Sequence, residues 1–204
     1  MLFSRTKARD STGFTLCGDY LDLRAAYETV HNIVTNSPVL NSQRNIDLNE
    51  FTLGLAYDIR KAYEQQREII NLDGTDDKQV TYYGVDVAFP YFILQLAALR
   101  WACAFTVINR NQQSILYALE WAVESAMNDF DATVSSEIVE RLSAFGNMLQ
   151  SQNIDSIENE IHACWIQKKK RRFSELLELL VNVTTPSGIR EIIERAKAKT
   201  GNNK

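Results

Sequence analysis

Cysteine and histidine are scarce in this chain, and their scarcity removes whole classes of chemistry. The three cysteines, Cys17, Cys103 and Cys164, are odd in number, far apart and set among apolar neighbours, with no Cys-x-x-Cys spacing. That pattern argues against a disulfide framework or a thiolate metal knuckle and predicts reduced, buried thiols in a cytoplasmic protein. The only histidines are His31 and His162. Asp155, Glu158 and His162 fall one turn apart on a predicted helix, but the paired Glu-x-x-His motifs of carboxylate-bridged metal bundles are missing. No metal and no cofactor is expected. The chain also lacks a Gly-x-Ser-x-Gly elbow, a phosphate-binding glycine loop and any Cys/His pairing in a family context, so nothing strong argues for an enzyme. The opening MLFSRTKARD has no apolar core and no small-residue cleavage site, so no secretion signal is expected.

One long hydrophobic run is present. Phe89 to Ile108 reads FPYFILQLAALRWACAFTVI, nearly continuous apolar side chain with Gln95 and Arg100 set inside it. Its length matches about 30 Å of hydrocarbon, but an arginine near the centre costs roughly 2.5–3.5 kcal/mol to insert. No Lys/Arg cluster flanks either end to set an orientation. A central helix wrapped by others is apolar on nearly all sides, and the run is expected to be that helix, with no membrane association.

Charge is unevenly spread. Residues 1–150 carry 12 Lys/Arg against 19 Asp/Glu, a balance of −7, whereas residues 151–204 carry 10 against 7, a balance of +3. A basic tail on an acidic body favours head-to-tail self-contact or an anionic partner.

Hydrophobic periodicity predicts an α+β protein, mainly helical. About six to seven helices are expected to form the core, with a small antiparallel sheet from residues 2–20 and 80–89. Phe14, Leu16, Gly18 and Tyr20 alternate with Thr15, Cys17 and Asp19, Leu2–Lys7 supplies a partner strand, and Asp10–Gly13 is turn chemistry. A helix follows from Asp19 or Asp22 to about Thr35, stopped by Asn36-Ser-Pro38. Asp47-Leu-Asn-Glu50 resembles a capping box opening a helix to about Leu72. Residues 80–89 alternate as a strand, and Pro90 opens the apolar helix. Helices are predicted over 112–131 and 135–150. Asp155-Ser-Ile-Glu158 is a second box-like start for a helix reaching Val183, and Thr185-Pro186 begins a short terminal helix with Ile189, Ile192 and Ile193 inward. Residues 1–183 are expected to form one domain, with 184–204 packed on it.

Arg100 is the sharpest candidate for chemistry. A buried guanidinium must be paired, and Asp86, Glu120 and Glu124 are its available mates. A structural ion pair is expected; the functional alternative is an anion grip by Arg100 with Asp86, or with Asp58, Tyr63 and Arg67 on the polar face of the second helix. The run Lys168, Lys169, Lys170, Arg171 and Arg172 is the other outlier, suited to phosphates or to an acidic partner surface without reading sequence.

The segments GFTLCGDYLDLRAAYETV (13–30), LGLAYDIRKAYEQQREI (53–69) and YYGVDVAFPYFILQLAALR (82–100) together resemble a family of small bacterial proteins known only as a domain of unknown function. The likeness covers residues 13–130. It implies a bacterial, cytosolic, mostly helical protein and brings no activity and no site residues. The function expected is that of a non-catalytic binding or regulatory protein working through protein–protein contacts, as a homodimer built through helices. The alternatives are a small-molecule binder or enzyme using Arg100, and a nucleic-acid binder using residues 168–172.

Overall fold

The computed structural model describes residues 1–7, 10–73, 79–150, 152–168 and 173–188. Four strands and a set of helices make an α+β protein that is mainly helical. In chain order they are β1 (Phe3–Lys7), β2 (Asp10–Gly18), α1 (Tyr20–Asn36), α2 (Ile46–Tyr63), β3 (Glu68–Asp73), β4 (Gln79–Ala88), α3 (Phe89–Cys103), α4 (Arg110–Asn128), α5 (Ala132–Met148), α6 (Ile154–Ile161) and α7 (Glu175–Thr184). A short 3-10 turn precedes α2, and a single π-helical turn, His162–Ile166, follows α6.

The sheet is antiparallel throughout, in the order β1-β2-β4-β3. Its inner face carries Phe14, Leu16 and Val85 into the core. The opposite face is closed by side chains. Arg5 and Glu68 join across it as an ion pair, Phe3 meets Tyr82 edge-on at 5.3 Å, and Thr15 Oγ1 donates to Asp86 at 2.6 Å. Cys17, fully buried in the sheet, has its thiol pushed up to about 11 by burial, so it stays protonated.

Helix α3 is the axis of the fold. Phe89, Phe92, Ile93, Leu94, Leu96, Ala97, Ala98, Leu99 and Ala102 are all buried, which is why its sequence shows no polar face. Both polar interruptions are paired. Gln95 Nε2 donates to the Phe51 carbonyl of α2 at 2.9 Å. Arg100 Nε and one terminal nitrogen both donate to the Glu120 carboxylate of α4. On another side α5 approaches so closely that a Cβ at Gly146 would run into the Ala97 carbonyl, so only glycine fits there.

Several expectations need correction. The apolar run is not one helix: α3 stops at Cys103, and Phe105 and Val107 stand exposed in the following loop. Among the described residues no helix is long and apolar enough to cross a membrane. Asp10–Gly13 belongs to β2 rather than to a turn, and residues 8 and 9 lie outside the described residues. The second helix does not reach Leu72. It ends at Tyr63, Gln65 takes a left-handed φ of 63°, and Glu68–Asp73 becomes an edge strand because Ile69 and Ile70 find partners on β4. Neither box-like start caps its helix. Asn45 at the start of α2 makes no side-chain cap, and α6 is capped by Asn153, whose side chain accepts from the Ser156 amide at 2.7 Å. The predicted 155–183 helix is broken into α6, the π turn and α7. Residues 169–172 and 189–204 lie outside the described residues, and with them Lys169, Lys170, Arg171, Arg172 and the terminal isoleucines.

Candidate functional site

Two concave surfaces flank α3. The larger, about 520 Å³, is a cleft between α2, the β4–α3 junction and α6. Helix α2 supplies one wall. Asp47, Glu50, Gly54 and Asp58 recur at steps of three, four and four residues, which puts them in one stripe along the helix. Asp86 enters from β4, and Asp155 and Glu158 from α6. Phe51, Leu55, Phe92 and Ile154 make an apolar floor, with Tyr91 and Gln95 beside it. Six carboxylates thus ring a trough with a partly apolar floor, and no Lys or Arg is among its described lining residues.

The electrostatics follow from this crowding. Burial, and secondarily the neighbouring Asp155 charge, raise the Glu158 carboxyl above its ordinary value. Burial likewise raises the Tyr91 phenol, whose hydroxyl donates to the Glu158 backbone carbonyl at 3.2 Å. At one end of the stripe Asp58 has cationic company, with Arg67 at 3.6 Å and Lys61 at 3.8 Å. Among the described residues no three His, Cys, Asp or Glu side chains converge closely enough to hold a metal ion. The carboxylates are strung along the cleft rather than gathered at a point.

Gly54 marks the middle of that wall. A glycine inside a helix costs about 0.5–1 kcal/mol relative to alanine, and here no steric need offsets it. The only neighbour a Cβ would meet is Gln95 Nε2 at 3.6 Å, an ordinary contact, and the chain has no positive-φ glycine among the described residues. Gly54→Ala should therefore stabilise the fold by about 0.5–1 kcal/mol, read from the urea midpoint. A loss of stability would mean the wall is tighter than it stands here.

The smaller groove, about 290 Å³, lies between α3, α4 and α5 and contains Arg100. Both prongs of the Arg100 guanidinium are engaged by Glu120, and the Tyr117 ring lies against it at 4.5 Å. The hydrogen bond the guanidinium donates to Glu120 raises the arginine pKa further, so the cation is permanent. Asp86 is not its mate. It lies on the sheet with Thr15 and faces the acidic cleft. Asp58 lies in that cleft too, Arg67 pairs with Asp58, and Tyr63 packs edge-on against Tyr20 at 5.5 Å. The residues considered for an anion grip are therefore dispersed. Of the basic run, Lys168 is described, and its Nζ pairs with Glu175 at 2.6 Å.

Sequence reasoning missed Asp47, Glu50, Gly54, Tyr91, Asp155 and Glu158 as a group. The α2 stripe was present as a helical spacing. The contribution from α6, a hundred residues on, showed the one-turn spacing of Asp155 and Glu158 but nothing that tied it to α2.

No curated protein and no solved structure matches the chain significantly. One family model does, over residues 3–200, nearly the whole chain including the C-terminal segment beyond the likeness seen at residues 13–130. The chain belongs to the family described as Domain of unknown function (DUF6904).

Proposed function

We propose that the protein is a non-catalytic binding protein whose acidic cleft receives an extended, basic segment of a partner protein. The observation that carries this reading is the cleft itself, a trough of mixed polar and apolar lining rimmed by carboxylates from three elements. Asp47 to Asp58 spans eleven residues, about 16 Å at the helical rise. An extended chain covers that length in about five residues. Its apolar side chains would take the Phe51–Phe92 floor and its Lys or Arg side chains the rim. A linear row of carboxylates suits a linear polycation better than a point charge. The same negative rim repels phosphate, which weighs against nucleic acid at this surface. An anion grip at Arg100 is disfavoured because its fork is already occupied. In this reading the protein works as a homodimer. Cys17 and Cys103, neither in a disulfide, suit a reducing compartment, which we take to be the cytoplasm.

Fluorescence anisotropy with a labelled Lys-Leu-Lys-Leu-Lys peptide, and with Glu-Leu-Glu-Leu-Glu as control, tests this at low salt. The lysine peptide should bind, and Glu50→Lys should weaken it about tenfold, the combined effect of removing an attraction and adding a repulsion at an exposed rim position. Affinity should also fall as pH drops. Glu158, whose raised carboxyl keeps its proton to higher pH than an ordinary glutamate, should lose its charge first. Equal binding of the two peptides, or indifference to Glu50→Lys, would remove the proposal.

A further inference from the structure

The solvent face of α4 is chemically self-complementary. Arg110, Ser114, Tyr117, Trp121, Glu124 and Asn128 recur at steps of three and four, so they lie on one stripe. This stripe is opposite the buried face of Leu116, Leu119, Ala122, Val123, Ala126 and Met127. It is unusual for an outer face. Tyr117 is 60% exposed and Trp121 49%, and these are the residue types, with arginine, that anchor protein interfaces. Tyr117 is also held in place by the Arg100 guanidinium below it, which is itself fixed by Glu120. An aromatic anchor pre-positioned in this way loses little freedom on binding.

We infer that this face is the surface through which two copies of the chain associate, with the two α4 helices antiparallel and the two-fold axis at Tyr117. That register follows from the charges. Residues paired across the axis sum to twice 117, so Arg110 of each copy meets Glu124 of the other, Gln113 meets Trp121, and Tyr117 meets its own symmetry mate. A parallel arrangement would set Arg110 against Arg110 and Glu124 against Glu124. The two Arg–Glu contacts lie fourteen residues apart on each helix, about 21 Å, and bracket the aromatic centre. Val139 of α5, 38% exposed across the groove from Tyr117, extends the apolar area beyond the helix itself. The interface is isologous, as most two-fold dimers are. It deepens the homodimer reading above and does not depend on the cleft.

Sedimentation velocity of the full chain, up to about 100 µM so as to cover micromolar affinities, tests it through a charge swap. The parent should be dimeric. Arg110→Glu and Glu124→Arg should each weaken the dimer at least tenfold by placing like charges in contact, and Trp121→Ala should do the same by removing an anchor. The double variant Arg110→Glu/Glu124→Arg should recover most of the parental affinity, a result that misfolding cannot imitate. A monomeric parent overturns the inference, and so does a dimer that none of the single variants weakens. Failure here leaves the cleft untouched, because a monomer that still binds the lysine peptide defeats only the dimer, and a dimer that does not bind it defeats only the cleft.

Discussion

Trp165→Ala should lower the unfolding free energy by about 3–5 kcal/mol. The indole is 1% exposed and sits on the π-helical turn between α6 and α7. Its ring nitrogen donates to the Thr12 carbonyl of β2 at 2.7 Å. One side chain thus fastens the C-terminal helices to the N-terminal hairpin. The alanine variant loses buried area and leaves a cavity that its helical and sheet neighbours cannot close together. Trp165→Phe separates the two contributions: it retains most of the apolar volume and loses the hydrogen bond, for about 1–2 kcal/mol. Chemical denaturation monitored by circular dichroism reads both. A loss below 1 kcal/mol for Trp165→Ala would mean that the C-terminal helices are not docked as described.

Removing the carboxylate from Glu120 has the second-largest expected effect. Glu120→Ala leaves the Arg100 guanidinium, only 24% exposed, with Tyr117 as company and no counter-charge. Breaking a fully buried pair costs about 3–5 kcal/mol and a fully exposed one about 0–1. This pair lies between those limits, so about 2 kcal/mol is expected. The double variant Arg100→Met/Glu120→Leu should recover most of that loss, because an apolar pair of similar volume needs no mutual compensation. If the double variant were as unstable as Glu120→Ala, the groove would need polar groups for a reason other than the pair. Lysine-peptide binding should be unchanged in both variants, since neither residue lines the acidic cleft.

These two sites mark where the sequence was readable and where it was not. The passage from β4 into α3 was legible because two local signals agreed: alternation through residues 80–89, then a proline suited to a first helical turn. Strand β3 was hidden for the opposite reason. Arg60, Glu64 and Glu68 continue a helical charge pattern past Tyr63, and the break comes at Gln65, a left-handed residue that no glycine announces. Pairing with β4 then overrides the local pattern, as tertiary context commonly does. At Arg100 the need for a partner was evident from burial and charge, but three acids satisfied it equally. Only the packing of α4 on α3 selects Glu120. The cleft was least legible, because its acids at 47, 50, 155 and 158 occupy helix starts, where an acid also suits the backbone dipole. A residue with two sufficient explanations reveals neither.

The sheet order has a consequence for how the chain is made. β2 is an interior strand, yet one of its two neighbours, β4, follows only after α1, α2 and β3; Thr15 and its partner Asp86 are 71 residues apart. At a synthesis rate of about 5–20 residues per second, that interval is roughly 4–14 s. Throughout it the first hairpin carries an open ladder of amides and carbonyls flanked by Phe14 and Leu16, the combination most prone to pairing with the wrong chain. The Trp165 tie arrives later still, 153 residues after Thr12. The β1–β2 hairpin thus leaves the ribosome well before the strand that completes it, so ribosome-bound chains ending before β4 are the species in which aggregation should begin.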